Sequence, residues 1–124
     1  MINVGIYQGR LVANPERKKT TGDEVFITFT LAVPRAMRKK DGRNADFFDC
    51  IAWGKDAETI YKYVFQGDGL TVKGRTETND YIDRNGVKRR SYTLVVEDWE
   101  FGPKKKTEDV ENITPSPYSL SRRR

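Results

Sequence analysis

The chain contains no histidine and a single cysteine, Cys50, among its 124 residues. The first absence removes the usual general base, the Ser-His pairing of hydrolases and the commonest zinc ligand. The second excludes an internal disulfide, fits a reducing compartment, and leaves no cysteine cluster for a metal. No apolar run approaches the roughly 20 residues needed to cross a bilayer. The N-terminal segment MINVGIYQGRLVANPERKK lacks the basic-then-apolar order of a secretory signal. Gly54-Lys55 has neither the upstream glycine nor the following Ser/Thr of a phosphate-binding loop, and Gly67-Asp68-Gly69 is too short for a dinucleotide loop. Asp46 and Asp49 leave opposite faces of a strand and do not converge on a metal. The inventory predicts a non-enzymatic protein, without cofactor or metal, that is soluble and cytoplasmic.

What is present is positive charge in particular places. The chain carries +5 overall, yet up to Pro103 there are 17 Lys/Arg against 15 Asp/Glu. Twelve of those 17 cations fall in three segments that read as loops. Arg17, Lys18 and Lys19 form the first; Arg35, Arg38, Lys39, Lys40 and Arg43 the second; Arg84, Lys88, Arg89 and Arg90 the third. Cations gathered in this way point to a polyanion more strongly than a high isoelectric point does. Solubility alone is the competing explanation.

The periodicity is that of strands. Ile2 to Val12 alternates loosely, with a bend or bulge expected at Gly5 and Gly9. Val25, Ile27, Phe29, Leu31 and Val33 alternate with Phe26, Thr28, Thr30 and Ala32, a half-buried strand closed by Pro34. Asp46 to Trp53 forms the third strand. The period then changes: Ala57, Ile60, Tyr61, Val64 and Phe65 fall at helical spacing, with Gly67 as the stop. Leu70 to Tyr81 returns to period two, Asn85-Gly86 signals a type I′ hairpin, and Tyr92 to about Phe101 is the fifth strand. Three strands, a short helix and a two-stranded hairpin is the order of an all-β fold, the five-stranded Greek-key oligonucleotide-binding barrel. From Gly102 the segment GPKKKTEDVENITPSPYSLSRRR has few apolar residues and three prolines, predicting a folded domain over 1–103 and a disordered basic tail over 104–124.

The run DFFDCIAWGK at 46–55 carries the chemistry. Phe47 and Trp53 leave the same face of the strand, while Phe48, Cys50 and Ala52 leave the face that lines a core; Cys50 is therefore a packed thiol. Tyr81 shares its outward parity with Lys73 and Arg75. Flat rings beside cations suit a single strand of nucleic acid, whose bases stack and whose phosphates need neutralising. Trp53, at a strand end, could instead cover the start of the helix. Phe26 is undecided, and Phe48 and Trp99 suit a core or subunit contact. The segment YIDRNGVKRRS, an aromatic followed by cations around a tight turn, reads as a finger that closes over a strand, or as a solvated hairpin tip.

Several of these segments together resemble the bacterial single-stranded DNA-binding protein family. They are MIN at 1–3, GRL at 9–11, Asn14-Pro15-Glu16, LAV at 31–33, DFFDCIAWGKDAE at 46–58, Gly67, VKGR at 72–75 and the Tyr81 hairpin. The resemblance implies an oligonucleotide-binding barrel, assembly as a homotetramer around which single-stranded DNA wraps, a nucleoid-associated place in the cytoplasm, and roles in replication, recombination and repair. It maps the stacking residues onto Phe47, Trp53 and Tyr81. A further family tryptophan falls near Met37 or Arg38, where no ring stands. The family's acidic tip, which recruits replication and repair proteins, has no counterpart in Ser121-Arg122-Arg123-Arg124. Two other functions fit the same barrel: an RNA-directed or primosome-type protein, and a protein-interaction module.

Overall fold

The computed structural model describes residues 1–36 and 44–105. Its elements are β1 (Gly5–Leu11), β2 (Glu16–Lys19), β3 (Val25–Pro34), β4 (Ala45–Trp53), α1 (Gly54–Tyr63), β5 (Gly69–Ile82) and β6 (Lys88–Phe101). The alternation in the second predicted strand does what its period requires. Ile27, Phe29 and Leu31 point inward and are buried, with Cys50 and Ala52 of β4, Leu70 and Val72 of β5, and Leu94 and Val96 of β6. From α1, Ala57 and Ile60 close this core, followed by Val64.

Five strands wind into a closed sheet. β3 pairs with β4 antiparallel, β4 with β6 in parallel, and β6 with β5 antiparallel; β5 pairs with β1, and β1 returns to β3 through Arg10↔Ala32 and Leu11↔Leu31. This is the predicted Greek-key barrel, with the helix between the third and fourth of its strands.

Three local expectations are corrected. Arg17, Lys18 and Lys19, read as a loop, lie with Glu16 in the short strand β2 along the edge of β3. The hairpin between them turns at Asp23, whose φ of 67° a short polar side chain tolerates, and the Thr20 hydroxyl accepts the Gly22 and Glu24 N–H groups. β1 begins at Gly5, and its register with β5 runs unbroken through Gly9. Gly9 is needed for close approach, because a Cβ there would collide with the Ala32 carbonyl where the barrel closes. The register shift lies instead between Lys73 and Gly74. Finally, Asn85-Gly86 is not a type I′ turn, which needs positive φ at both residues; only Gly86 has it, at 78°. The Gly86 N–H bonds to the Asp83 carbonyl, and the loop is closed by the Asp83 N–H to the Val87 carbonyl.

β5 pairs with β1 only as far as Gly74, whereas its pairing with β6 continues to Ile82↔Lys88. Leu94 and Val95 of β6 still pair with Cys50 and Ile51 of β4; beyond them, from Glu77↔Thr93 to Ile82↔Lys88, the two strands continue as a two-stranded arm. At the other end, the chain after β6 docks on the loop that follows α1. Gly69 donates to the Pro103 carbonyl, and the buried Asp68 carboxylate accepts the Phe65 N–H, the Lys105 N–H and Lys104 Nζ. Lys104 and Lys105 thus hold to the barrel, two residues past the division expected from composition.

Candidate nucleic-acid interface

Alternation along β4 puts Phe47, Asp49, Ile51 and Trp53 on its outer face. Phe47 lies opposite Ala32 of β3, whose methyl group cannot cover it, and the ring is 64% exposed. Trp53 lies opposite Phe26; the two rings are 4.8 Å apart at 33°, and Trp53 keeps 39% of its surface exposed. Phe26, which the sequence left undecided, is thus a partner of Trp53 on the outer surface. Tyr81 stands on the arm, 50% exposed and directly opposite Arg89.

The register extends the Trp53 row by one strand: Lys18 of β2 pairs with Phe26, so Lys18, Phe26 and Trp53 form a cross-strand line. Lys18 also approaches Glu16, at 3.8 Å. Arg17 and Lys19 have the opposite parity. Arg17 forms a two-pronged ion pair with Glu58 of α1, both contacts at 3.1 Å, which fastens β2 to the helix. Glu58 is held below the usual carboxylate range by that bond and, to a smaller degree, by Lys19. Lys19 therefore faces the helix side and not the ring row.

Other cations on the predicted interface are engaged with carboxylates. Arg35 donates Nε to both oxygens of Asp46, at 3.1 and 3.0 Å, and its backbone N–H bonds to the Asn44 carbonyl, closing the base of the loop that follows β3. Arg38, Lys39, Lys40 and Arg43 lie outside the described residues. Arg75 bridges Glu77 and Glu97, at 2.9 and 3.1 Å. Lys73 lies opposite Ile6 and Asp98, on a strand separated from β4 by β6 and from β3 by β1, so it is not brought to Phe47 and Trp53. On the arm, Arg90 pairs with Asp80 and Arg89 with Asp83, each at 2.8 Å, while Arg84 and Lys88 are exposed beside them. These exposed pairs are individually weak because water screens them, and phosphate competes for the same guanidinium groups.

Asp83 organises the arm's tip. Its Oδ1 accepts the Asn85 and Val87 N–H groups and its Oδ2 accepts Arg89 Nε; the Arg89 bond, with those backbone donors, draws its pKa down. Composition gave no reason to single it out, although an Asp two residues before an Asn is a familiar side-chain cap of a turn.

A groove of about 360 Å³ lies on the outer side of β3 and β4, bounded by the segment from Val12 to Glu16. Thr28, Thr30, Asp49 and Thr93 contribute to its lining, and the Thr30 hydroxyl donates to Asp49 Oδ1 at 2.9 Å. Sequence reading missed this groove, because it arises where three strands and a turn meet. Behind it, burial, and then the Asp49 charge, push the Cys50 thiol up to about 12, which makes it inert at neutral pH.

Two aromatics expected in packing roles are found there. Phe48 stacks on Tyr7 with centroids 4.1 Å apart. Trp99 is half-buried, donates its indole N–H to Asp56 at 3.0 Å and meets Phe101 edge-on. Among the described residues no group of His, Cys, Asp or Glu is arranged to hold a metal ion, and no helix is long and apolar enough to cross a membrane.

The sequence profile of the single-strand binding protein family matches residues 2–102. A single-stranded DNA-binding protein of Lactiplantibacillus plantarum is 37% identical over 100 residues, 80% of this chain and 50% of that protein. The single-stranded DNA-binding protein 3 of Clostridium acetobutylicum is 36% identical over 81% of this chain and 70% of its own length. For the single-stranded DNA-binding protein 2 of Listeria monocytogenes the figures are 34%, 95% and 74%. The match thus spans between half and three-quarters of these relatives.

Proposed function

The chain belongs to the single-strand binding protein family, and on that premise we propose that it binds single-stranded DNA without marked sequence specificity and acts in replication, recombination and repair. The observation that carries the reading is the trio of exposed rings: Phe47 and Trp53 on β4 and Tyr81 on the arm. Each stacked base contributes roughly 1–3 kcal/mol, largely independent of its identity. Lys18 and the arm cations Arg84, Lys88, Arg89 and Arg90 neutralise phosphates, joined by Arg38, Lys39, Lys40 and Arg43 of the loop after β3. Arg35, Arg75, Lys19 and Lys73 act at the margin, because their positions favour structural pairing or lie off the ring row. No step requires a catalyst or cofactor; the protein is a binder.

Ile2, Val4 and Ile6 are exposed alternate residues at the first strand. They support assembly with further copies, as the homotetramer expected of the family. Residues 1–103 form the binding unit, and 104–124 are a basic tail whose first two residues, Lys104 and Lys105, are held by Asp68. Its work is in the cytoplasm, on the nucleoid. Replication and repair proteins are the protein partners that this reading assigns to it.

Titration of labelled oligothymidine at two salt concentrations, with mass measured alongside, tests this reading. Each neutralised phosphate adds a slope of about −0.7 to log affinity against log salt. Affinity that hardly changes with salt contradicts the role of the cations, and a matched RNA bound more tightly than DNA redirects the function to RNA.

A further inference from the structure

Building on the DNA-binding reading above, on which this depends, we propose that the arm holds single-stranded DNA on both faces, with Tyr92 as a fourth stacking ring. Ile51 of β4 lies opposite Val95 of β6, so Val95 has the parity of the outer face of β4, and Thr93 lines the groove there. Along the arm that parity is continued by Arg89 and, directly across from it, Tyr81. The front of the arm therefore prolongs the surface that bears Phe47 and Trp53.

The back of the arm has the parity of Leu94 and Val96, which are buried in the core. Tyr92 is the next residue in that series, opposite Thr78. It is 59% exposed, because β6 pairs with β4 only from Leu94 onward. Arg90 and Lys88 follow on the same face, opposite Asp80 and the exposed Ile82. Arg90 stands between Asp80, whose Oδ1 accepts its Nε at 2.8 Å, and the Tyr92 phenol, and both favour its charged form. An open ring with a fixed guanidinium beside it thus occurs twice on the arm: Tyr81 with Arg89 in front, Tyr92 with Arg90 behind.

Charge selects the occupant of the back face. Lys88 and Arg90 bring two positive charges to it and Asp80 one negative charge. A second copy laid on it face to face would oppose like charge, whereas a polyanion is attracted. The ring stacks a base, and the guanidinium and ammonium groups meet the neighbouring phosphates. β5 pairs with β1 only as far as Gly74, and β6 with β4 only from Leu94, so both arm edges run past their barrel partners. A strand that crosses an edge passes from the Tyr81 face to the Tyr92 face.

The test uses the full chain and one labelled oligothymidine longer than the roughly 4–16 nucleotides that a single barrel takes, with mass and thermal unfolding measured alongside. Tyr92→Ala weakens binding at least about fivefold, the low end for one stacked base, with mass and Tm unchanged. Tyr92→Phe, which keeps a ring, stays within about twofold of the native protein. Tyr92→Trp added to Trp53→Phe restores the fall in emission that Trp53→Phe alone removes. Native affinity in Tyr92→Ala overturns the proposal, and so does a loss in Tyr92→Phe as large as in Tyr92→Ala. A lower mass in Tyr92→Ala also overturns it, by making this face a contact between copies. In these cases the native protein still binds and the DNA-binding reading stands; a native protein that does not bind the oligomer overturns both.

Discussion

Trp53 is partnered by Phe26 across the β3–β4 pair, ring to ring at 4.8 Å, while part of its surface stays open to solvent. The indole is therefore packed on one ring and still exposed, so the packing reading and the proposed stacking role do not exclude each other. Phe26 packs against the indole, and under the proposed function a base would stack on the surface that remains exposed.

Fluorescence separates the two tryptophans. Trp99 is half-buried with its indole N–H bonded to Asp56, so a bound base does not reach it as it reaches Trp53. Emission should fall on adding oligothymidine, and Trp53→Phe should remove most of that change while keeping affinity within about threefold, because a benzyl ring still stacks. Trp53→Ala should weaken binding by roughly tenfold, the loss of about one stacked base. An undiminished quench in Trp53→Phe would place the responding ring elsewhere.

The arm's tip depends on an ionised Asp83. Its pKa is drawn below the ordinary 3.8, first by Arg89 and then by the Val87 and Asn85 N–H groups. A folded value below the unfolded one means that the stabilisation is fully present above 3.8 and lost as pH falls through the lower, folded value. Amide exchange at Asn85 and Val87 should therefore show constant protection (after correction for intrinsic rates) from neutral pH down to about 5, and lose it only in strong acid. Asp83→Ala should expose both amides at neutral pH. Protection that disappears near neutrality would mean that another group holds the turn.

Gly54 marks the abrupt passage from β4 to α1, with φ at 64° and open space where a methyl group would stand. Crowding is not what requires glycine there; backbone conformation is. Gly54→Ala should cost about 1–2 kcal/mol, which for a domain of this size lowers Tm by roughly 4–16 °C. Thermal unfolding with no change in midpoint would show that the junction relaxes to another conformation.

Much of this barrel was legible in the alternation of its residues. The inward set of β3, the parity of Phe47 and Trp53, the helix after the third long strand and the long closing hairpin all follow from apolar spacing. What sequence could not supply were relations across strands. That Lys18, Phe26 and Trp53 form one line depends on a register fixed by the turn at Asp23. Glu16 to Lys19 carries four charged side chains and no apolar alternation, so its strand character comes from the free edge of β3 and not from propensity. Cations looked alike by composition, yet Arg17 is held by Glu58, Arg35 by Asp46 and, on its strand, Arg75 by two glutamates, partners unmarked in the sequence. The Asn85-Gly86 signal located the turn but not its type, because the Asp83 carboxylate favours a longer loop.

The most direct measurement is the affinity of the native chain and of Phe47→Ala, Trp53→Ala and Tyr81→Ala for one labelled oligothymidine at fixed salt, with thermal unfolding alongside. Each ring is expected to account for about 1–3 kcal/mol of binding, a loss of roughly five- to 150-fold, with Tm nearly unchanged for Phe47 and Tyr81 because they stand largely in solvent. If all three variants bound as tightly as the native protein, the rings would not be the surface on which the strand lies, and the account would be wrong.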